Sequence, residues 1–135
     1  MRRLRDGLSI LVVDDDFDAA DSLVALLRLT HHDTRAAYGG EQALELATTT
    51  EPDVVFLDIN MPRMDGFATA AAIRRMFPTD PPLLIAFTGQ PQPADVAAAE
   101  KAGFDLHVTK PCDFEYLLNL LDKAISQPPA IGIAE

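Results

Sequence analysis

The chain has 135 residues, 21 acidic and 11 basic, for a formal net charge of −10. That length suits one domain with a real core, since a chain of roughly 150 residues buries about 68–70% of its unfolded surface. The acidic balance argues against a nucleic-acid surface, which needs basic patches to neutralise phosphates, and suits a soluble protein that binds a cation or a basic partner face.

The single cysteine, Cys112, excludes an internal disulfide and points to a reducing compartment. Met1-Arg2-Arg3-Leu4-Arg5 imitates the basic start of a signal peptide, but the apolar run from Ile10 to Val13 ends in three aspartates. A secretory core needs about 7–15 apolar residues, so this run is a strand. No stretch approaches the ~20 apolar residues of a membrane span, and the expectation is a cytoplasmic protein with no membrane partner.

Residues 1–7 read as an N-terminal extension. Leu8 to Val13 predicts a buried strand, β1, closed by Asp14-Asp15-Asp16, with Asp16 placed to cap the next helix. Ala20, Leu23, Val24 and Leu27 then recur at helical spacing in α1, which His31 and His32 close at the favourable negative end of its dipole. The two adjacent histidines lack the neighbours of a metal site. Thr34 to Tyr38 is β2; Gly39-Gly40 leads into a short α2 from Glu41 to about Ala47.

Asp53 to Leu57 is β3 and runs straight into Asp58, with Pro62 soon after. A strand apolar on both faces belongs inside a sheet covered on both sides. Asp65-Gly66 opens α3, with Ala70, Ile73 and Phe77 on one face and Pro78 as its stop. Leu83 to Phe87 is β4, ending at Thr88-Gly89. The alanine-rich α4, Ala94 to Ala102, is weakly amphipathic and is expected to pack less firmly than its neighbours; Gly103 ends it in a left-handed cap. Asp105 to Thr109 is β5, followed by Lys110-Pro111. Asp113 caps α5, whose Phe114, Leu117, Leu118, Leu121 and Ile125 keep the helical period, and residues 127–135 form a short tail.

Five strand–helix pairs in strict alternation predict an α/β fold: a doubly wound, five-stranded parallel sheet, flavodoxin-like, in strand order 2-1-3-4-5. In that order β1, β3, β4 and β5 are consecutive. Asp14, Asp15, Asp58, Thr88 and Lys110 therefore meet at the carboxyl edge, where open α/β sheets keep their ligands. Each alone is weak: an acidic run after a strand is usually a solvated helix start, and Lys-Pro is usually a turn. Three carboxylates brought to ~4 Å repel by on the order of 4 kcal/mol per pair at an effective dielectric near 20. A hard divalent cation with oxygen ligands offsets that repulsion, and Lys110 adds a fixed positive charge. The chemistry indicated is nucleophilic attack by Asp58 on phosphorus to give an aspartyl phosphate.

Leu11-Val12-Val13-Asp14-Asp15-Asp16, Phe56 through Gly66, Thr88-Gly89 and Val108-Thr109-Lys110-Pro111 together resemble the receiver domain of two-component response regulators over about residues 8–126. The resemblance implies Asp58 as phosphoacceptor. It implies Mg²⁺, with Mn²⁺ as an alternative, held by Asp14, Asp15, Asp58 and the Asn60 backbone carbonyl. Thr88 and Lys110 would contact the phosphoryl group, with room left by Gly89. Asn60 and Gln90 would tune its lifetime, and the peptide bond before Pro111 is expected to be cis. The donor would be a histidine kinase or histidine phosphotransfer protein. The signal would emerge on the α4–β5–α5 face, where a downstream protein or a second copy docks.

One position departs from the family pattern. Where an aromatic switch partner is usual, three residues before Lys110, this chain has His107. Two readings stand: a partly exposed residue of β5 with no special role, or a smaller, titratable ring in the aromatic's place. Phe87 and Phe104 read as core, and Cys112 as a small buried residue. A metal-dependent phosphohydrolase with a phosphoaspartate intermediate is the enzyme alternative. It is disfavoured because Asn60 stands where such enzymes use a second aspartate as general acid. A flavin carrier is disfavoured because three aspartates after β1 would repel its phosphate. Met1 and the short tail favour a stand-alone receiver over one belonging to a hybrid sensor kinase.

Overall fold

The computed structural model describes residues 7–89, 93–110 and 113–126. Gln90, Pro111, Cys112, the side chain of Ile125 and most of both terminal segments lie outside the described residues. The chain alternates β1 (Ser9–Val13), α1 (Phe17–Leu29), β2 (Asp33–Ala37), α2 (Gly40–Thr50), β3 (Val54–Asp58), α3 (Gly66–Met76), β4 (Leu83–Thr88), α4 (Pro93–Ala102), β5 (Leu106–Thr109) and α5 (Phe114–Ser126). All strand pairs are parallel, in the expected order β2-β1-β3-β4-β5.

Strand alternation divides the apolar residues between two faces. Leu11, Val13, Val55, Leu57, Leu84 and Ala86 pack with Ala43, Ala47, Ala70, Ile73 and Ala99 of α2, α3 and α4. Ile10, Val12, Phe56, Ile85 and Val108 pack with Val24 and Leu27 of α1 and Leu117 and Leu121 of α5. Burial on both sides is why β3 is apolar without alternation: all five of its residues are buried, Asp58 included. Among the described side chains of α4 only Ala99 is buried, so this helix is held by a narrow stripe.

Caps behave as the sequence predicts at two helix starts. The Asp16 carboxylate accepts the Asp18 and Ala19 N–H groups at 3.1 and 3.3 Å, and Asp65 accepts from Ala68 at 2.9 Å. Gly103 takes φ +105°, as its cap requires. At Gly66 a Cβ would lie 2.5 Å from Ile59 Cα and 2.6 Å from Asp58 O, so only glycine lets α3 begin against the end of β3.

Three boundaries differ from expectation. α2 continues through Thr48, Thr49 and Thr50, whose hydroxyls donate to the Leu44 and Leu46 carbonyls at 2.7–3.2 Å, and Glu51 caps it in the left-handed conformation. α3 ends at Met76 with Phe77 as its C-cap, and Phe77 still packs against the cluster that holds Ala70 and Ile73; its N–H donates to Ile73 O at 3.2 Å. His31 and His32 do not sit in the last turn of α1, which ends at Leu29 with Thr30 as cap. His31 adopts φ 70°, and His32 Nδ1 accepts the Leu8 N–H at 3.0 Å, tying the start of β1 to the turn before β2. Burial lowers the His32 pKa from its ordinary value, as an imidazole nitrogen acting as acceptor requires.

Candidate functional site

Sheet register places the chemistry. Val13 lies beside Leu57, Asp58 beside Phe87, and Thr88 beside Thr109, so Asp14, Asp58, Thr88 and Lys110 fall at or just beyond successive strand ends. Asp14 and Asp58 are buried, at 5% and 8% exposure, whereas Asp15 faces solvent. Carboxylate oxygens of Asp14, Asp15 and Asp58 lie within 4.8 Å of one another. All the carboxylates read from the sequence as a cluster are therefore brought together.

Lys110 supplies the counter-charge. Its Nζ sits 2.7 Å from Asp14 Oδ2 and 3.9 Å from Asp58 Oδ2, so in this state it is bonded to Asp14 and only near Asp58. Its backbone N–H donates to Thr88 O at 2.7 Å, which fixes where the side chain starts. Two backbone N–H groups aim at the carboxylates: Asp16 donates to Asp14 Oδ1 at 3.0 Å and Asn60 to Asp58 Oδ1 at 3.0 Å. Asn60 also donates from Nδ2 to Thr88 Oγ1 at 3.2 Å, linking the loop after β3 to the end of β4. Thr88 is fully buried.

Burial raises the Asp58 pKa above the ordinary carboxylate value, and the Asp14 carboxylate adds to the rise. The Asn60 N–H and the Lys110 ammonium oppose it. Among the described residues the site sets three carboxylates against the one nearby ammonium of Lys110. The donor set is all oxygen, part buried and part open, which fits a hard divalent cation that keeps some of its waters.

His107 corrects one of the two sequence readings. It is 5% exposed, not partly exposed. Leu106 and Val108 belong to the α1/α5 side, so His107 points to the opposite side, beside Ala86 and toward the layer containing α4. Phe104 is core, 4% exposed and edge-on to Phe67 at 6.5 Å. Phe87 is not simply core: it is half-buried, 6.0 Å from the Phe56 ring, and Lys110 Nζ stands 5.5 Å from its ring centroid. Sequence reasoning missed that contact. The available signal was an aromatic directly before Thr88, one rung from the strand ends that carry the charges.

At Gly89 a Cβ would meet nothing within 4 Å, so glycine is not forced by packing in this state.

Comparison with known proteins gives a consistent family. The family model described as "Response regulator receiver domain" matches residues 10–122. The transcriptional regulatory protein PrrA of Mycobacterium leprae is 40% identical over 102 residues, covering 76% of this chain and 43% of PrrA. This chain thus spans less than half of that relative. Protein PilG of Pseudomonas aeruginosa is 31% identical over 121 residues, covering 90% of each. The solved chemotaxis protein CheY4 of Vibrio cholerae superposes with a TM-score of 0.80 at 25% identity, covering 87% of this chain and 98% of CheY4.

Proposed function

This chain belongs to the response regulator receiver domain family of two-component systems, and from that premise we propose that it is a phosphorylation-dependent signalling switch whose phosphoacceptor is Asp58. The observation that carries the reading is the gathering of carboxylate oxygens of Asp14, Asp15 and Asp58 within 4.8 Å, with Lys110 bonded to Asp14 at 2.7 Å and 3.9 Å from Asp58. The donor is a histidine kinase or a histidine phosphotransfer protein. Residues 8–126 form the working unit, flanked by the segments 1–7 and 127–135.

Asp14, Asp15, Asp58 and the Asn60 backbone carbonyl would hold Mg²⁺, or Mn²⁺ in its place. Bound there, the ion neutralises charge on the phosphoryl oxygens. An Asp58 oxygen attacks phosphorus; the new O–P bond forms as the donor's bond to phosphorus breaks, and its electron pair leaves with the donor. The Asn60 N–H orients the carboxylate. Lys110 shifts from Asp14 toward the arriving charge. Because Thr88 Oγ1 accepts from Asn60 Nδ2, its own hydrogen is available to a phosphoryl oxygen. Asn60 and Gln90 would set how quickly water removes the group, and a cis bond before Pro111 would aim Lys110.

The aspartyl phosphate adds charge of about −1.5 to −2 at neutral pH. Thr88, drawn toward it, carries the end of β4 with it, and α4, held by Ala99, is the element with least to lose. The α4–β5–α5 face then changes, and a downstream protein, an effector region of a longer protein such as a hybrid sensor kinase, or a second copy reads it. His107, buried beside Ala86 under that face, stands at the relay position. Moving such an equilibrium from 1:99 to 99:1 takes about 5.5 kcal/mol of differential stabilisation, so a partial shift is expected. Among the described residues no helix is long and apolar enough to cross a membrane, in keeping with a cytoplasmic switch.

Incubation with phosphoramidate and Mg²⁺, followed by intact mass measurement, tests the reading. A gain of one phosphoryl group on the wild type and none on Asp58→Asn supports it; no gain on the wild type sinks it.

A further inference from the structure

Lys110 is 30% exposed in its side chain, so its long stem has solvent as an alternative to the site. Of the two carboxylates in reach it bonds Asp14 at 2.7 Å and leaves Asp58 at 3.9 Å, although Asp58 is where the phosphoryl group arrives. Among the described residues the ammonium also stands over the Phe87 ring, 5.5 Å to the centroid. Phe87 is the β4 neighbour of Asp58 in the sheet register, so the ring lies on the Asp58 side of the ammonium's range. It is anchored by the Ile59 N–H donating to Phe87 O at 3.2 Å and by the Phe56 ring at 6.0 Å.

We infer that Phe87 is a positioning residue for Lys110 in phosphoryl transfer, an inference that rests on Asp58 being the phosphoacceptor. An aromatic face attracts a cation without accepting its N–H hydrogens through lone pairs. All three N–H groups of the ammonium therefore stay free for Asp14, Asp58 and the incoming oxygens. A carboxylate or carbonyl at the same place would satisfy Lys110 and hold it back. An aliphatic residue would fill the volume and leave the ammonium free to swing into water. The ring keeps Lys110 over the site while it passes from Asp14 to the phosphoryl group.

A double-mutant cycle in the full chain tests this, read as the rate constant of phosphorylation by phosphoramidate with Mg²⁺. Phe87→Leu is expected to lower the rate roughly three- to tenfold, on the scale of a partly exposed cation–π contact. Phe87→Tyr, which keeps the ring, is expected to retain the wild-type rate. In a Lys110→Ala background Phe87→Leu should have no further effect, because its action passes through the ammonium. A wild-type rate in Phe87→Leu overturns the inference, as does the same fractional loss with and without Lys110, which marks a packing role. Failure of wild type to take up phosphoryl overturns the reading of Asp58 and the inference with it. Phosphorylation of wild type with an additive cycle overturns the inference alone.

Discussion

Asn60 donates from its side-chain amide to the buried hydroxyl of Thr88 at 3.2 Å, joining the loop that follows β3 and Asp58 to the end of β4. Thr88 is 28 residues away in sequence, yet it senses the same loop whose backbone N–H binds Asp58. Asn60 therefore bonds both Asp58 and Thr88, so the proposed phosphorylation of Asp58 and the proposed shift of β4 would share one residue. Thr88→Ala should separate them. Phosphoryl uptake is expected to stay within roughly tenfold of wild type, since the hydroxyl supplies one hydrogen bond of about 0.5–1.5 kcal/mol. The chemical-shift changes that beryllofluoride induces across α4 and β5 should shrink to a small fraction. Full-sized changes in the variant would place the relay elsewhere.

Asp58 is costly to the resting fold. Burial and Asp14 raise its pKa, so between the ordinary value of about 3.9 and the raised one the folded chain binds more protons than the unfolded. The stability lost to this carboxylate is thus greatest at neutral pH and is recovered as pH falls through the raised value. Without divalent cation, Asp58→Asn should melt a few °C higher than wild type at pH 7, the scale of ~1 kcal/mol in a domain this size. The gap should close on acidification toward pH 4. A gap independent of pH would mean the carboxylate's charge is not its origin.

The exposed Asp15 offers a way to test the proposed cation binding apart from folding. It is part of the carboxylate cluster, while Asp14 alone holds Lys110 at 2.7 Å. Asp15→Asn is expected to weaken Mg²⁺ binding by about tenfold or more, as loss of a group at a metal centre does, with the melting temperature nearly unchanged. Calorimetric titration and a thermal melt read the two quantities. Unchanged Mg²⁺ affinity would remove Asp15 from the ligand set.

His32 gives the opposite pH dependence to Asp58. Its Nδ1 must stay unprotonated to accept the Leu8 N–H, and its folded pKa is lowered by burial. Its contribution is complete above the unfolded pKa of about 6.5 and declines as pH falls below that value, where the unfolded chain binds the extra proton. The urea midpoint of wild type should fall between pH 7.5 and 5.5. His32→Ala should lose about 1 kcal/mol at pH 7.5 and show a flatter profile. Parallel profiles would assign the pH dependence to other groups.

The parts legible in the sequence are those that depend on strand ends. Asp14, Asp58 and Thr88 each close an apolar run and Lys110 follows β5, so once the parallel order is known their convergence follows from topology. The helices were legible by period and caps, as at Asp16 and Asp65. What escaped depends on the third dimension. Phe87 looks like one more core residue until the register sets it beside Asp58 and Lys110. His32 looks like a helix terminus because the N–H it accepts is 24 residues upstream. The threonines ending α2 carry low helix propensity, so their local preference gave no sign that the helix runs on to Thr50. His107 is buried on the side of the sheet opposite Leu106 and Val108, which the short pattern of β5 does not reveal.

Whether Asp58 itself takes the phosphoryl group can be read at the level of one residue. Borohydride reduces an acyl phosphate to an alcohol, so trapping the phosphorylated protein and sequencing its peptides by mass converts the acceptor aspartate to homoserine. Homoserine at position 58, and at neither Asp14 nor Asp15, is the predicted result. Homoserine at either of those two, or an undiminished phosphoryl adduct with none at position 58, would contradict the account.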